Sequence, residues 1–209
     1  MKKVILLMVG ILVVFSFFNE AMAGGVLVGK YASNGTTVCL QSPYGFKSFD
    51  SGNLLHPVDS SGNITGPGNA AAWTSITSSK GVWTFKPNGT GSLQSEGIFT
   101  ILQGSTTYSP YVESNETEFQ FTYTLSNGVL AITVIPATYV TSFPGTGPPP
   151  TSYSIDQRIY EGNVSLDYLN IVLKYPGPTP ILEKRIYANP AHTNYASCHG
   201  ESVLVYIGP

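Results

Sequence analysis

An all-β fold is expected for this chain: an antiparallel up-and-down barrel of about eight strands, with a two-sheet β-sandwich as the alternative. Three observations predict it. Patterned segments alternate with period two rather than 3.6, β-branched and aromatic side chains fill them, and Asn-Gly and Pro-Gly turns separate them at short intervals. No stretch keeps a helical period. Neither half would own a complete core, so residues 24–209 read as one domain.

The amino-terminal segment stands apart from that pattern. Lys2 and Lys3 precede an apolar run from Val4 to Phe18, Asn19 and Glu20 end it, and Ala21-Met22-Ala23 supplies the small residues a signal peptidase reads. Residues 1–23 are therefore expected to be a cleaved signal peptide that exports the rest to the periplasm or the cell exterior. An uncleaved anchor is the alternative, but a spanning helix wants about 20 apolar residues. No later segment reaches transmembrane-helix length.

Along the mature chain, Val26 to Tyr31 and Thr36 to Leu40 flank Ala32-Ser33-Asn34-Gly35 and read as a first hairpin. The strongest hairpin signal is Gly81 to Phe85 running into Lys86-Pro87-Asn88-Gly89-Thr90-Gly91, with Ser92 to Leu102 as the return arm. Glu118 to Leu125 then turns at Ser126-Asn127-Gly128 into Val129 to Ile135. Phe119, Phe121, Tyr123 and Leu125 share one face, with Gln120, Thr122 and Thr124 on the other, the pattern of a sheet with one side buried. Tyr153 to Tyr160, Asn163 to Tyr175, Ile181 to Tyr187 and Ser202 to Ile207 continue the series, with a turn expected at Glu161-Gly162-Asn163. Ser42 to Lys80 reads as a long polar loop in which Asn69 would cap a short helix, and Phe143 to Pro150 as a stiff connection.

Ten lysines and arginines against twelve acids leave a net charge of −2. There is no basic run, which excludes nucleic acid as an expected partner. Cys39 and Cys198 both lie in the exported part, where oxidation is favoured, and one disulfide is their most economical use; two buried thiols are the alternative. Closing so long a loop would restrict the unfolded chain by about 4–5 kcal/mol in the chain-entropy model.

The Trp-x-Phe strand entering an Asn-Gly-Thr-Gly turn, Val82 to Gly91, resembles small secreted lipocalin-like barrels of bacteria, as does a cysteine near the last strand. The likeness covers about 20 residues and the strand rhythm, and Gly29-Lys30-Tyr31 stands where such proteins carry Gly-x-Trp. It implies an eight-stranded barrel holding one small apolar ligand. An interior filled by its own side chains suits the same strand number equally well.

No catalytic constellation is found, so an enzyme is not expected. Tyr195-Ala196-Ser197-Cys198-His199 lacks the first thiol that haem attachment requires. His192, His199 and Glu201 offer metal-ligand types without a fixing geometry, and the acids Glu113, Glu116 and Glu118 match no calcium loop. No cofactor and no metal are expected. Trp83, Phe85, Phe99, Phe119, Phe121 and Tyr123 remain as candidates to line a ligand cavity, or to fill it. The function expected is thus an exported protein binding a small apolar ligand inside a barrel. A structural or adhesive surface module and a small outer-membrane barrel, with Gln120, Thr122 and Thr124 lining its lumen, are the alternatives.

Overall fold

The computed structural model describes residues 25–49, 54–64, 72–103, 111–146, 151–175, 182–188 and 191–209. The expected signal peptide and the helix cap at Asn69 lie outside the described residues. Among those described, thirteen strands run β1 (Gly29–Ser42), β2 (Phe46–Phe49), β3 (Leu54–Pro57), β4 (Trp73–Phe85), β5 (Thr90–Gln103), β6 (Tyr111–Ser126) and β7 (Val129–Val134), followed by β8 (Val140–Phe143), β9 (Thr151–Ile155), β10 (Ile159–Val164), β11 (Asn170–Tyr175), β12 (Leu182–Ala188) and β13 (Ala191–Gly208). All the pairings are antiparallel. β2 and β3 form a small separate sheet.

The large sheet closes on itself. β1 pairs with β4 on one side and β13 on the other, and the series β1-β4-β5-β6-β7-β10-β11-β13 is a ring of eight strands. It is not a clean barrel. Five long strands, β13, β1, β4, β5 and β6, form a continuous wall, while the facing wall is built of short strands laid end to end: β7 then β8 against β6, and β11 then β12 against β13. β10 and β9 fill the position between them.

One break is bridged by a side chain. Between β7 and β8 a 3-10 turn spans Pro136–Thr138. The Gln120 amide, which would otherwise lose its ladder partner there, donates to Thr138 Oγ1 at 2.8 Å, and the Thr138 hydroxyl donates to the Ile135 carbonyl at 2.8 Å. A lone hydroxyl thereby satisfies backbone that the sheet cannot.

The expected second and third hairpins are present. Asn127 and Gly128 both take positive φ, 52° and 77°, the combination a two-residue turn between twisted strands requires. Phe119, Phe121 and Tyr123 are buried with Leu130, Ile132 and Val134, while Gln120, Thr122 and Thr124 are exposed. Each such side chain gains about 1.5–3 kcal/mol on burial. A slip of one residue would turn the whole set outward, so the alternation fixes the register.

Four sequence expectations fail. The strand read over Tyr153 to Tyr160 is broken at 156–158 into β9 and β10. Ala32 to Gly35 is no turn but the middle of β1, paired with Val82–Ser79 on one side and Val205–Ser202 on the other. Two flanking ladders override the local turn preference of Asn-Gly, and glycine is needed at 35 because a Cβ there would collide with Ser202 and lie 2.9 Å from the Glu201 carbonyl. The turn expected at Glu161–Asn163 falls instead at Ser165–Leu169, and residues 161–163 pair with both β7 and β11. The loop read over Ser42 to Lys80 contains the β2–β3 hairpin, and from Trp73 onward it is already β4.

Candidate functional site

The aromatic candidates lie inside the ring. Trp83 packs against Phe119, Phe121 and Tyr160 with ring centroids 5.6, 5.4 and 5.4 Å apart. Phe85 meets Phe121 at 5.3 Å and Tyr123 at 5.2 Å. The Tyr123 hydroxyl shares its proton between the carbonyls of Leu27 and Lys86, at 2.6 and 2.8 Å. The structure thus brings five of the six together, in edge-to-face, tilted and stacked pairs, at distances that already satisfy aromatic packing. Phe99 sits apart, against Phe143 at 5.5 Å.

Sequence reasoning missed a second interior feature. Arg158, Glu183 and Arg185 are buried, with Glu183 wholly so. Arg158 Nε and Nη2 donate to Glu183 Oε2 at 2.8 and 2.6 Å, and Arg185 Nε donates to Glu183 Oε1 at 2.8 Å. Tyr175 gives its hydroxyl proton to Glu183 Oε2 at 3.0 Å, while Arg158 Nη1 donates to the Tyr139 hydroxyl at 2.9 Å. The Arg158 guanidinium lies 4.8 Å from the ring centroids of Tyr139 and Tyr175, and that of Arg185 lies 4.9 Å from Tyr153.

Burial alone would raise the Glu183 carboxyl. The charges and hydrogen bonds of Arg158 and Arg185 outweigh it and hold Glu183 below its ordinary value. Burial lifts the Tyr139, Tyr160 and Tyr175 hydroxyls, so the tyrosines of the cluster stay neutral. One carboxylate therefore answers two guanidinium charges.

A signal was available. Arg158 and Arg185 are the only two arginines in the chain, every other cationic side chain being lysine. Arginine is the residue suited to buried, multiply bonded ion pairs.

Beside this cluster the expected disulfide is present. Cys39 and Cys198 stand directly opposite each other in the β1–β13 ladder, 159 residues apart in sequence, so the bond staples the strands that close the ring. Arg185 Nη2 lies 3.3 Å from Cys39 Sγ and 3.2 Å from Cys198 Sγ.

On the outer face of the long strands lie two adjoining concavities of about 710 and 490 Å³, both lined by Lys80, Glu96 and Glu116. The register sets Lys80, Glu96, Glu116 and Ser142 in one row across β4, β5, β6 and β8, with Val82, Gln94, Glu118 and Val140 in the next. Lys80 Nζ contacts Glu96 Oε1 at 3.0 Å, an exposed pair of little energetic weight. Among the described residues no ion pair engages Glu116 or Glu118. Glu113, three residues before Glu116 on β6, falls on the opposite, inner face. Its Oε1 is buried and finds no hydrogen-bond partner among the described residues, and burial raises its carboxyl.

The histidine candidates do not converge. His192 and His199 are an odd number of residues apart on β13 and so face opposite sides of the sheet, His192 stacking on Tyr187 at 4.3 Å. Among the described residues no group of three or more His, Cys, Asp and Glu side chains is placed to hold a metal ion. No helix among them is long and apolar enough to cross a membrane. Compared with protein-family models, curated proteins and solved structures, the chain matches none, so the likeness of Val82 to Gly91 to lipocalin-like barrels gains no support from relatives.

Proposed function

We propose that the chain is an exported, non-catalytic recognition module that engages a partner on the outer face of its long strands. One observation carries this reading: the concavity over β4, β5 and β6 presents Glu116 and Glu118, which no ion pair engages among the described residues, beside the apolar Val82 and Val140. That combination suits an extended partner segment mixing basic and aliphatic residues. Glu96 and Glu116, set directly opposite each other, work against the sheet. Such local conflicts concentrate where function requires them.

Export is supported by the composition of the first 23 residues and by the disulfide, which persists in oxidising compartments. An apolar ligand inside the ring is the weaker reading, because Trp83, Phe85, Phe119, Phe121 and Tyr123 are already one another's packing partners. The membrane-barrel reading is weaker still, since Gln120, Thr122 and Thr124 lie on the face opposite the aromatic interior.

The test is surface plasmon resonance on an immobilised peptide of alternating lysine and valine. The wild-type protein is expected to bind it in a salt-dependent way, and Glu116→Gln/Glu118→Gln to lose at least fivefold in affinity. Equal binding by the two proteins, or none by the wild type, would contradict the proposal.

A further inference from the structure

The disulfide is set against a charge that the interior leaves unanswered. Arg158 and Arg185 carry two positive charges and Glu183 one negative, and among the described residues no second carboxylate bonds to either arginine. Buried charge of one sign is costly unless paired. The atoms nearest the free side of Arg185 are the two sulfurs, both within 3.3 Å of Nη2. A neutral disulfide answers that guanidinium only weakly. A thiolate on either sulfur would complete the pairing and bring the cluster to zero net charge.

We propose that Cys39–Cys198 is a reversible thiol–disulfide site, reduced by a dithiol, whose reduced form is stabilised by an ion pair between Arg185 and the thiolate left on one sulfur. A thiolate of the dithiol attacks one protein sulfur, the bond between Cys39 and Cys198 breaks, and a mixed disulfide forms. The second thiol of the reductant then closes the reductant's own disulfide and releases the protein sulfur. Two electrons pass to the protein. Of the two protons the dithiol gives up, one ends on a cysteine sulfur and the other in solvent, because the second sulfur stays ionised.

Arg185 favours that ionisation, the carboxylate of Glu183 bonded to it opposes it, and the neighbouring tyrosines are neutral. Tyr175 of β11 and Tyr160 of β10 pack against the cysteine pair, the uncharged Ser75 of β4 stands opposite Cys39, and around Arg185 lie Glu183 of β12, Tyr153 of β9 and, bonded to Glu183, Arg158 of the β9–β10 connection. Arg185 touches both sulfurs. Burial of the cysteines slows the exchange but does not set its equilibrium. A thiolate stabilised in the reduced protein makes the disulfide more readily reduced. The β1–β13 ladder runs from Lys30 to Ser42, so the ring stays paired when the staple opens.

The purified full-length mature protein is equilibrated with dithiothreitol redox buffers, and its reduced form is titrated by thiolate absorbance at 240 nm. One thiolate is expected with a midpoint below about pH 7, against about 8.5 for an ordinary cysteine. Arg185→Met is expected to raise that midpoint and to shift the equilibrium at least tenfold toward the disulfide, about 30 mV. Arg185→Lys, which keeps the charge without the fork, should fall between. Both thiols of the wild type titrating at or above about 8.5 would overturn the proposal, and this readout stands even if Arg185→Met does not fold.

Discussion

Arg158 grips a single oxygen of Glu183 with two nitrogens, Nε at 2.8 Å and Nη2 at 2.6 Å, in an interior whose largest cluster is aromatic and aliphatic. The carboxylate is shared with Arg185, so its removal strands two guanidinium groups. Glu183→Gln is expected to cost about 3–5 kcal/mol in chemical denaturation. The pH dependence has a definite sign. Because Glu183 is held below its ordinary value in the folded protein, its stabilisation is present above the unfolded carboxyl value of about 4.3 and fades as the pH falls below that. The wild type should lose stability steeply in that acid range, and Glu183→Gln should show a shallower loss.

Glu113 behaves in the opposite sense. Its carboxyl is raised by burial and its Oε1 finds no donor among the described residues, so ionisation at neutral pH works against the folded state. Glu113→Gln should raise the unfolding midpoint at pH 7. The advantage should vanish below about pH 4, where the unfolded carboxyl is also protonated. A lower midpoint at pH 7 would mean that the charge is satisfied by another group.

Thr138 tests the break in the facing wall. Replacing it with valine removes the hydroxyl that serves both the Gln120 amide and the Ile135 carbonyl. The expected cost is about 1–3 kcal/mol. Amide hydrogen exchange should locate the loss, with Gln120 deprotected and Trp83 and Leu93 on the continuous wall unchanged.

Gly35 tests the close approach of β1 to β13. Gly35→Ala puts a methyl group against Ser202 and 2.9 Å from the Glu201 carbonyl, and should destabilise by about 1–3 kcal/mol. Gly145→Ala, with nothing within 4 Å of the new carbon, serves as the control and should be neutral or slightly stabilising.

What the sequence made legible follows from how local each signal is. The β6–β7 hairpin was readable because its alternation and its Asn-Gly turn agree, and the structure keeps both. The disulfide was readable because two cysteines admit one pairing. Ala32 to Gly35 misled because a turn and the centre of a doubly paired strand can carry the same residues; only β4 and β13, distant in sequence, decide between them. The 161–163 segment misled for the same reason. The Arg158–Glu183–Arg185 cluster spans a connection and a separate strand, and Lys184 and Ile186 on the other face of β12 mask its alternation. The outer concavity is less legible again, since its rows exist only once β4, β5, β6 and β8 are in register.

Trp73 and Trp83, the only two tryptophans, are both buried in the ring, so intrinsic fluorescence reports directly on whether the interior holds a guest. The decisive measurement is a fluorescence titration of the mature protein with long-chain fatty acids and a hydrophobic dye. An interior already filled by its own side chains gives no saturable change in tryptophan emission and no bound dye. Saturable quenching at low micromolar, one-to-one concentrations would place an apolar ligand among Trp83, Phe85, Phe119, Phe121 and Tyr123 and contradict the surface-recognition account.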